Sequence, residues 1–529
     1  MSKLFFYPTK LISITLLIVV SSLIVGCTAS EQKPKNIIYI LTDDQRFDEL
    51  GFMNPVIETP HMDELAEKGI HFKNTFVTTA LCSPSRATIL TGQYMHSHGV
   101  VDNNAPAKEG TIYFPAYLQQ VGYETAFFGK WHMGGHHDDP QPGFDYWLSF
   151  AGQGDYYPTK KRGTMSRFNI NGEHVFQKGY ITDELTDYTL DWLEKKRDAN
   201  KPFFVYLSHK AVHANFDPAD RHKDQYSDAK ISVPASQADT EENYKGKPMW
   251  VKNQRNSWHG VDFPYHSRLN VQEYKRQYHR ALSAVDDSLG RIMTWLKENN
   301  LEKDTAVVLM GDNGFLFGEH GLIDKRNAYE ESMRVPLIAY IPGAKQNFVV
   351  EEMAANLDIA PTMLDIAGIS EMPPQFAGAS LLPLAKGEKI DDWRDTLLYE
   401  YYWEFNFPQT PTTFAVRTDN FKLIQYHGIW DTDELYDIKN DPFEMNNLID
   451  DPKYLKIKVE LRKELFARLA IDGEHAVPYT KKFSQGSVFR QIKRSKAAEF
   501  PDHWLRRGNE RDLFRFFTPD DKRVKAGNQ

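Results

Sequence analysis

NIIYILTDDQR, residues 36–46, is the stretch from which the rest of the chain can be read. Residues 36–41 form a short apolar run rich in β-branched side chains, without the in–out alternation of a half-exposed strand. That is the pattern of a strand buried on both faces. Two carboxylates, Asp43 and Asp44, come directly after it. The runs YETAFF (123–128), FFVYLS (203–208), TAVVLM (305–310) and VPLIAYI (335–341) repeat the pattern. Residues 59–69 read as a helix, with Thr59 as N-cap, Pro60 in the first turn and Gly69 as the stop. Tyr274, Tyr278, Ala281, Leu282, Val285, Leu289, Ile292 and Leu296 fall at helical spacing. Strands alternating with amphipathic helices predict an α/β fold whose large, mostly parallel sheet is flanked by helices on both faces.

The residues just past each strand carry the chemistry. Asp43 and Asp44 lie beyond the first run, and Lys130 and His132 beyond 123–128. His209, Lys210 and His213 lie beyond 203–208, and Asp312 and Asn313 beyond 305–310. Ligands of open α/β sheets bind at the carboxyl ends of the strands. Carboxylate, amine, imidazole and amide delivered to one edge describe a site, although each alone reads equally as a loop polar group. His209 stays with that plainer reading.

The chain of 529 residues has two cysteines. Cys27 closes the apolar run Leu11–Gly26, which Lys3 and Lys10 precede in the order of an export signal. Ile24-Val25-Gly26-Cys27 resembles the bacterial lipobox, which implies cleavage before Cys27 and lipidation there; an uncleaved membrane helix is the alternative. Cys82 opens Cys82-Ser83-Pro84-Ser85-Arg86, followed by the helix-like run ATILTG. A thiol at a helix N-terminus, with Arg86 one turn on, predicts a lowered thiol pKa.

Cys-X-Pro-X-Arg followed by Thr-Gly resembles the signature of the type I, formylglycine-dependent sulfatases of the alkaline phosphatase superfamily. TDDQR (42–46), GKWH (129–132), GDNG (311–314), GEHG (318–321) and DKR (324–326) continue the likeness in order, over roughly residues 36 to 450. The resemblance implies an alkaline phosphatase-like fold and a formylglycine-generating enzyme that oxidises Cys82 to formylglycine. One hydroxyl of the aldehyde hydrate would attack sulfur, and the other would expel sulfate. It implies calcium among Asp43, Asp44, Asp312, Asn313 and the oxygen on residue 82, ligands that suit a hard cation. Lys130 and Lys325 would neutralise the sulfate and His213 would protonate the leaving oxygen. His132 would take the proton of the second hydroxyl and Arg86 would steady the diol. Asp324 and Arg326, flanking Lys325, are open to contact with sulfate or substrate in its place.

For the substrate pocket the sequence offers His136, His137, Asp139, Tyr401, Trp403 and His427. Aromatic rings suit sugar faces, and Tyr401 and Trp403 read equally as packing between domains. The segments EYYWEFNFPQTPTTFAVRTD and GQGDYYP resemble a branch of carbohydrate sulfatases. That branch includes N-acetylglucosamine-6-sulfatase-like proteins and enzymes of ulvan degradation. The implied activity is sulfuric ester hydrolysis on a sulfated carbohydrate. A phosphodiester or phosphonate hydrolase of the same superfamily, and a non-catalytic glycan-binding lipoprotein, are the competing classes.

The chain divides into a signal (1–26), a tether (27–35), a catalytic domain (36–390), a C-terminal subdomain (391–480) and a tail (481–529). The subdomain is expected to be a small antiparallel sheet with a helix. Its hairpin over 413–428 turns at Thr418-Asp419-Asn420, and its helix lies near 452–470. The tail has 13 Lys and Arg against 6 Asp and Glu, with several aromatics. It reads as packed on the acidic body or as a contact for an anionic polymer. A net charge of −9 argues against a general nucleic-acid binder. The expected location is the cell envelope, with the membrane met through lipid on Cys27.

Overall fold

The structure, a computed structural model, describes residues 35–134, 137–161, 164–238, 240–254, 270–404, 407–428 and 431–470. The signal, Cys27, the tether up to residue 34, His136, residues 471–480 and the tail lie outside them. No helix among the described residues is long and apolar enough to cross a membrane.

The large sheet comprises β1 (Asn36–Thr42), β2 (Ile70–Phe72), β3 (Glu124–Lys130), β4 (Tyr146–Phe150), β5 (Arg167–Ile170), β6 (Glu173–Phe176), β7 (Phe203–Ser208), β8 (Thr305–Gly311), β9 (Leu337–Tyr340) and β10 (Phe348–Val350). Their spatial order is β10-β2-β9-β8-β1-β7-β3-β4-β5-β6. The central run β8-β1-β7-β3-β4 is parallel throughout.

Successive residues of β1 serve opposite faces, and both faces are covered. Ile38 and Ile40 pack with Met62 and Leu65 of α1 (Pro60–Lys68), Leu185 of α2 (Ile181–Asp191) and Leu282, Val285 and Leu289 of α3 (Val271–Glu298). Ile37, Tyr39 and Leu41 pack on the other side with Ala87, Ile89 and Leu90. This double burial is why the run does not alternate.

One strand departs from the parallel expectation. The run at 335–341 enters as β9, antiparallel to β8. Between β8 and β9 the chain has only the short helices Glu319–Gly321 and Glu330–Met333. It never recrosses the sheet, so it re-enters from the edge it left. Residues 312–336 therefore stay at the carboxyl edge of β8.

The C-terminal sheet, β11 (Thr396–Tyr401), β12 (Thr412–Thr418), β13 (Phe421–His427) and β14 (Glu434–Asp437), is antiparallel in that order. Arg417 pairs with Lys422, so the hairpin turns at Asp419-Asn420. The helix Leu455–Leu469 covers one face, burying Leu461 and Leu465 against Leu398, Val416, Leu423 and Leu435. The other face gives Tyr399, Ala415, Ile424 and Tyr436 to the core that contains Ile37 and Tyr39.

Candidate active site

The parallel register brings the strand ends level. Thr42 pairs with Gly311, Leu41 with Ser208, and Ser208 with Gly129. The residues just beyond therefore share one edge. Gly129 has φ +114, and a Cβ there would lie 1.9 Å from the Ser208 carbonyl oxygen, so β3 and β7 approach this closely only with glycine. Cys82 begins the helix Cys82–Thr91, all ten residues of which are buried.

The predicted residues converge on Cys82. Its thiol donates to Asp43 Oδ1 at 3.4 Å and accepts from Lys325 Nζ at 2.8 Å. Lys130 Nζ bonds Asp43 Oδ2, and Lys325 Nζ also bonds Asp44 Oδ1. Arg86 Nε donates to Asp312 Oδ2 at 2.9 Å, and its Nη1 donates to the Lys130 carbonyl at 2.7 Å and Ser208 Oγ at 2.5 Å. The Asp44 backbone N–H donates to Asp312 Oδ1 at 3.0 Å, and Asn313 Nδ2 to Asp44 Oδ1 at 2.6 Å. His213 Nε2 stands 3.9 Å from Asp44 Oδ2.

The hydrogen bonds fix both imidazole tautomers. Ser83 Oγ donates to the His132 carbonyl at 2.6 Å, so at 3.1 Å it accepts from His132 Nδ1. His213 Nδ1 lies 2.8 Å from the Ala214 carbonyl, which can only accept. Each ring therefore keeps Nε2 as its free base. Burial, with Lys130 next, holds both rings well below the usual histidine range, so both are neutral.

The thiol does not behave as the sequence predicts. Burial, with Asp43 next, pushes Cys82 up to about 12, against the opposing pull of Lys130 and Lys325. Desolvation among carboxylates outweighs the helix terminus. Cys82 is a neutral thiol, and as cysteine it is no nucleophile near neutral pH.

Burial also works against Asp43, yet Lys130, Arg86 and Lys325 hold it well below the carboxylate range. Asp44 is pushed up to about 7 by burial, and Asp312 is raised by burial and by Asp43. Asp44 Oδ2 and Asn313 Oδ1 are buried without a hydrogen-bond partner. Oxygens of Asp43, Asp44 and Asp312 lie within 4.8 Å of one another. Clustered carboxylates with unpaired hard oxygen donors among them fit a calcium ion.

The substrate candidates fare unevenly. Tyr401 is fully buried and its hydroxyl bonds Glu404 at 2.9 Å, so its ring offers no face to a sugar. Trp403 is exposed, and its indole N–H donates to the Pro408 carbonyl at 3.2 Å. His427 is exposed at the end of β13. His137 and Asp139 are exposed and lie 3.8 Å apart. None of these five bonds directly to Cys82 or to the charged groups around it. His209 bonds Ser288 Oγ at 3.2 Å, away from the cluster.

Sequence reasoning missed Gln153, whose Oε1 accepts from Lys130 Nζ at 2.5 Å. Gln153 lies in the segment GQGDYYP that carries the family resemblance, but a lone loop glutamine does not announce a contact with Lys130. It also missed Ser83 and Ser208, which orient His132 and Arg86.

The sulfatase family model matches residues 35–369, and the model of the N-sulphoglucosamine sulphohydrolase C-terminal region matches residues 318–470. The N-acetylglucosamine-6-O-sulfatase of Bacteroides thetaiotaomicron is 35% identical over 516 residues, covering 85% of this chain and 90% of that protein. The human N-acetylglucosamine-6-sulfatase is 32% identical over 406 residues, covering 73% and 70%. A protein solved in complex with its substrate D-glucosamine-2-N,6-O-disulfate superposes with TM-score 0.75 at 33% identity, over 83% of this chain and 98% of that one. The phosphonate monoester hydrolase of Silicibacter pomeroyi superposes with TM-score 0.69 at 24% identity, over 82% and 95%, a likeness of fold alone. With a family model spanning most of the chain and relatives this similar along its length, the chain belongs to the type I, formylglycine-dependent sulfatases.

Proposed function

We propose that this protein hydrolyses a sulfate ester on a sugar and releases inorganic sulfate, with residue 82 as the nucleophile position. The observation that carries the reading is the convergence on Cys82 of Lys325 at 2.8 Å and of the Asp43 carboxylate at 3.4 Å, with Lys130 bonded to the same aspartate. Such a setting holds an anion and steadies charge that develops on it.

Asp43, Asp44, Asp312 and Asn313 would hold calcium, which when bound supplies a Lewis acid for a sulfate oxygen and for the oxygen on residue 82. Oxidation of Cys82 to formylglycine, by a formylglycine-generating enzyme, would supply the hydrated aldehyde that a buried neutral thiol does not. Lys130 and Lys325 would bind the sulfate oxygens and orient the ester. His132 Nε2 is the free base suited to accept the proton released when sulfate is expelled. His213 is neutral in the free protein. A sulfate ester brought against it adds negative charge, which favours its protonated form and so proton donation to the leaving sugar oxygen. Arg86, fixed by Asp312 and Ser208, would hold the group on residue 82 in place.

The family relatives support an amino-sugar or related glycan sulfate as substrate. A phosphonate ester hydrolase has only fold likeness behind it. We further infer that residues 1–26 direct export and that lipid on Cys27 anchors the protein in the cell envelope. Membrane retention of the wild type and its loss in Cys27→Ser would test this.

The experiment for the activity is sulfate release from sulfated mono- and oligosaccharides by protein co-expressed with a formylglycine-generating enzyme, beside Cys82→Ser. Release that depends on Cys82 is expected. Cleavage of phosphonate esters with no sulfate release would overturn the reading.

A further inference from the structure

The loop that follows β11 carries a buried carboxylate, Glu404, that the mechanism does not use. Glu404 is 2% exposed. Its Oε1 accepts from Arg326 Nε at 2.6 Å and from the Tyr401 hydroxyl at 2.9 Å. Its Oε2 is buried without a hydrogen-bond partner. Leaving a buried polar oxygen unpaired is unfavourable, a cost a ligand can relieve.

Arg326 ties that carboxylate to the segment that contacts residue 82. Arg326 comes after Lys325, which touches Cys82. Its guanidinium lies 3.5 Å from the centre of the Phe407 ring, and its Nη1 bonds Asp324 at 2.7 Å. Through Arg326, Glu404 is thus joined to the segment 324–326 that brings Lys325 to the reactive position. Stacking and ion pairing hold Arg326 rigidly, which leaves Oε1 committed and Oε2 available.

We propose that Glu404 Oε2 accepts a hydrogen bond from a ring hydroxyl of the sugar that carries the sulfate, with Arg326 as the residue that positions the carboxylate. This rests on the sulfate-ester reading. An ionised carboxylate only accepts, so the group it recognises must donate, and a sugar hydroxyl is that donor. Glu404 is then a specificity determinant supplied by the C-terminal sheet, which thereby acts in substrate choice as well as in packing.

The test compares kcat/KM for the best sulfated monosaccharide with its analogues lacking one hydroxyl each. It uses full-length converted wild type, Glu404→Gln and Glu404→Leu. In the wild type one deoxy analogue should be poorer by about 100-fold. Glu404→Leu should turn over parent and that analogue equally, and Glu404→Gln, which keeps a carbonyl acceptor, should retain part of the discrimination. A uniform loss by Glu404→Leu across parent and all analogues would overturn the proposal and reduce Glu404 to a support for Arg326. If Glu404→Leu does not fold, the wild-type series and Glu404→Gln decide: the proposal stands if one hydroxyl is read and Glu404→Gln weakens that preference. It falls if no analogue is discriminated or if Glu404→Gln leaves the preference intact. Absence of sulfate release from every sugar takes down the sulfate-ester reading together with this one, whereas a uniform loss takes down this one alone.

Discussion

Lys325 Nζ and Cys82 Sγ lie 2.8 Å apart in a pocket closed to solvent, so the cation and the reactive position touch before any ligand arrives. Burial opposes the lysine's charge, but the carboxylates of Asp44 and Asp43 outweigh it and keep the ammonium protonated. Replacing Lys325 with alanine removes a fixed positive charge from the anion's seat. A fall in kcat of about 10²–10³-fold is expected, measured as sulfate release, with circular dichroism unchanged.

Unconverted Cys82 should be unreactive. With its pKa pushed up to about 12, only a minute fraction is thiolate near neutral pH. Alkylation of the folded protein by iodoacetamide should be at least about 100-fold slower than that of a free thiol, and denaturant should restore the ordinary rate. Rapid labelling of the native protein would contradict the buried, neutral assignment.

Calcium should stabilise the fold, because Asp44 Oδ2 and Asn313 Oδ1 are buried without a partner beside the clustered carboxylates of Asp43 and Asp312. Binding to the folded state alone contributes about 2.7 kcal/mol at a hundred times Kd. The melting temperature should rise on adding calcium to chelator-treated protein, and Asp312→Asn should blunt the rise. A melting temperature insensitive to calcium would remove the ligand assignment.

Glu331 gives a pH signature away from the site. Burial, with Glu319 next, pushes its carboxyl up to about 8 from an ordinary 4.5. The folded chain therefore holds this proton to higher pH than the unfolded chain. The stability it contributes is full below about pH 4.5 and is lost as pH rises to about 8. Glu331→Gln should gain on the wild type across that window, by on the order of 5 kcal/mol, as read by urea unfolding at several pH values. Parallel curves would show that Glu331 is ionised throughout.

The central strands were legible because burial on both faces writes itself as an unbroken apolar run, and Ile38 and Tyr39 serve opposite faces as that run implies. The placement of Asp43, Lys130, His213 and Asp312 was legible because each lies within a few residues of a strand's carboxyl end. Depth was not legible. Tyr401 ends its strand where a sugar-stacking ring would stand, yet it faces the core. The helix terminus at Cys82 was visible in the sequence, but the desolvation that reverses its effect comes from chain far away. Gln153 and Glu404 sit in loops where a single polar residue carries no periodicity, and only the fold brings them to Lys130 and Arg326.

The burial of the helix Cys82–Thr91 has a consequence in time. Cys82 is 0% exposed, and Ser85 beside it is bonded by Asn356, which comes 271 residues later. Lys325, which seals the thiol, is also late in the chain. An enzyme that oxidises residue 82, as proposed above, would have to reach it while those later segments are still unmade or unfolded, so the order of synthesis would set the interval open to modification.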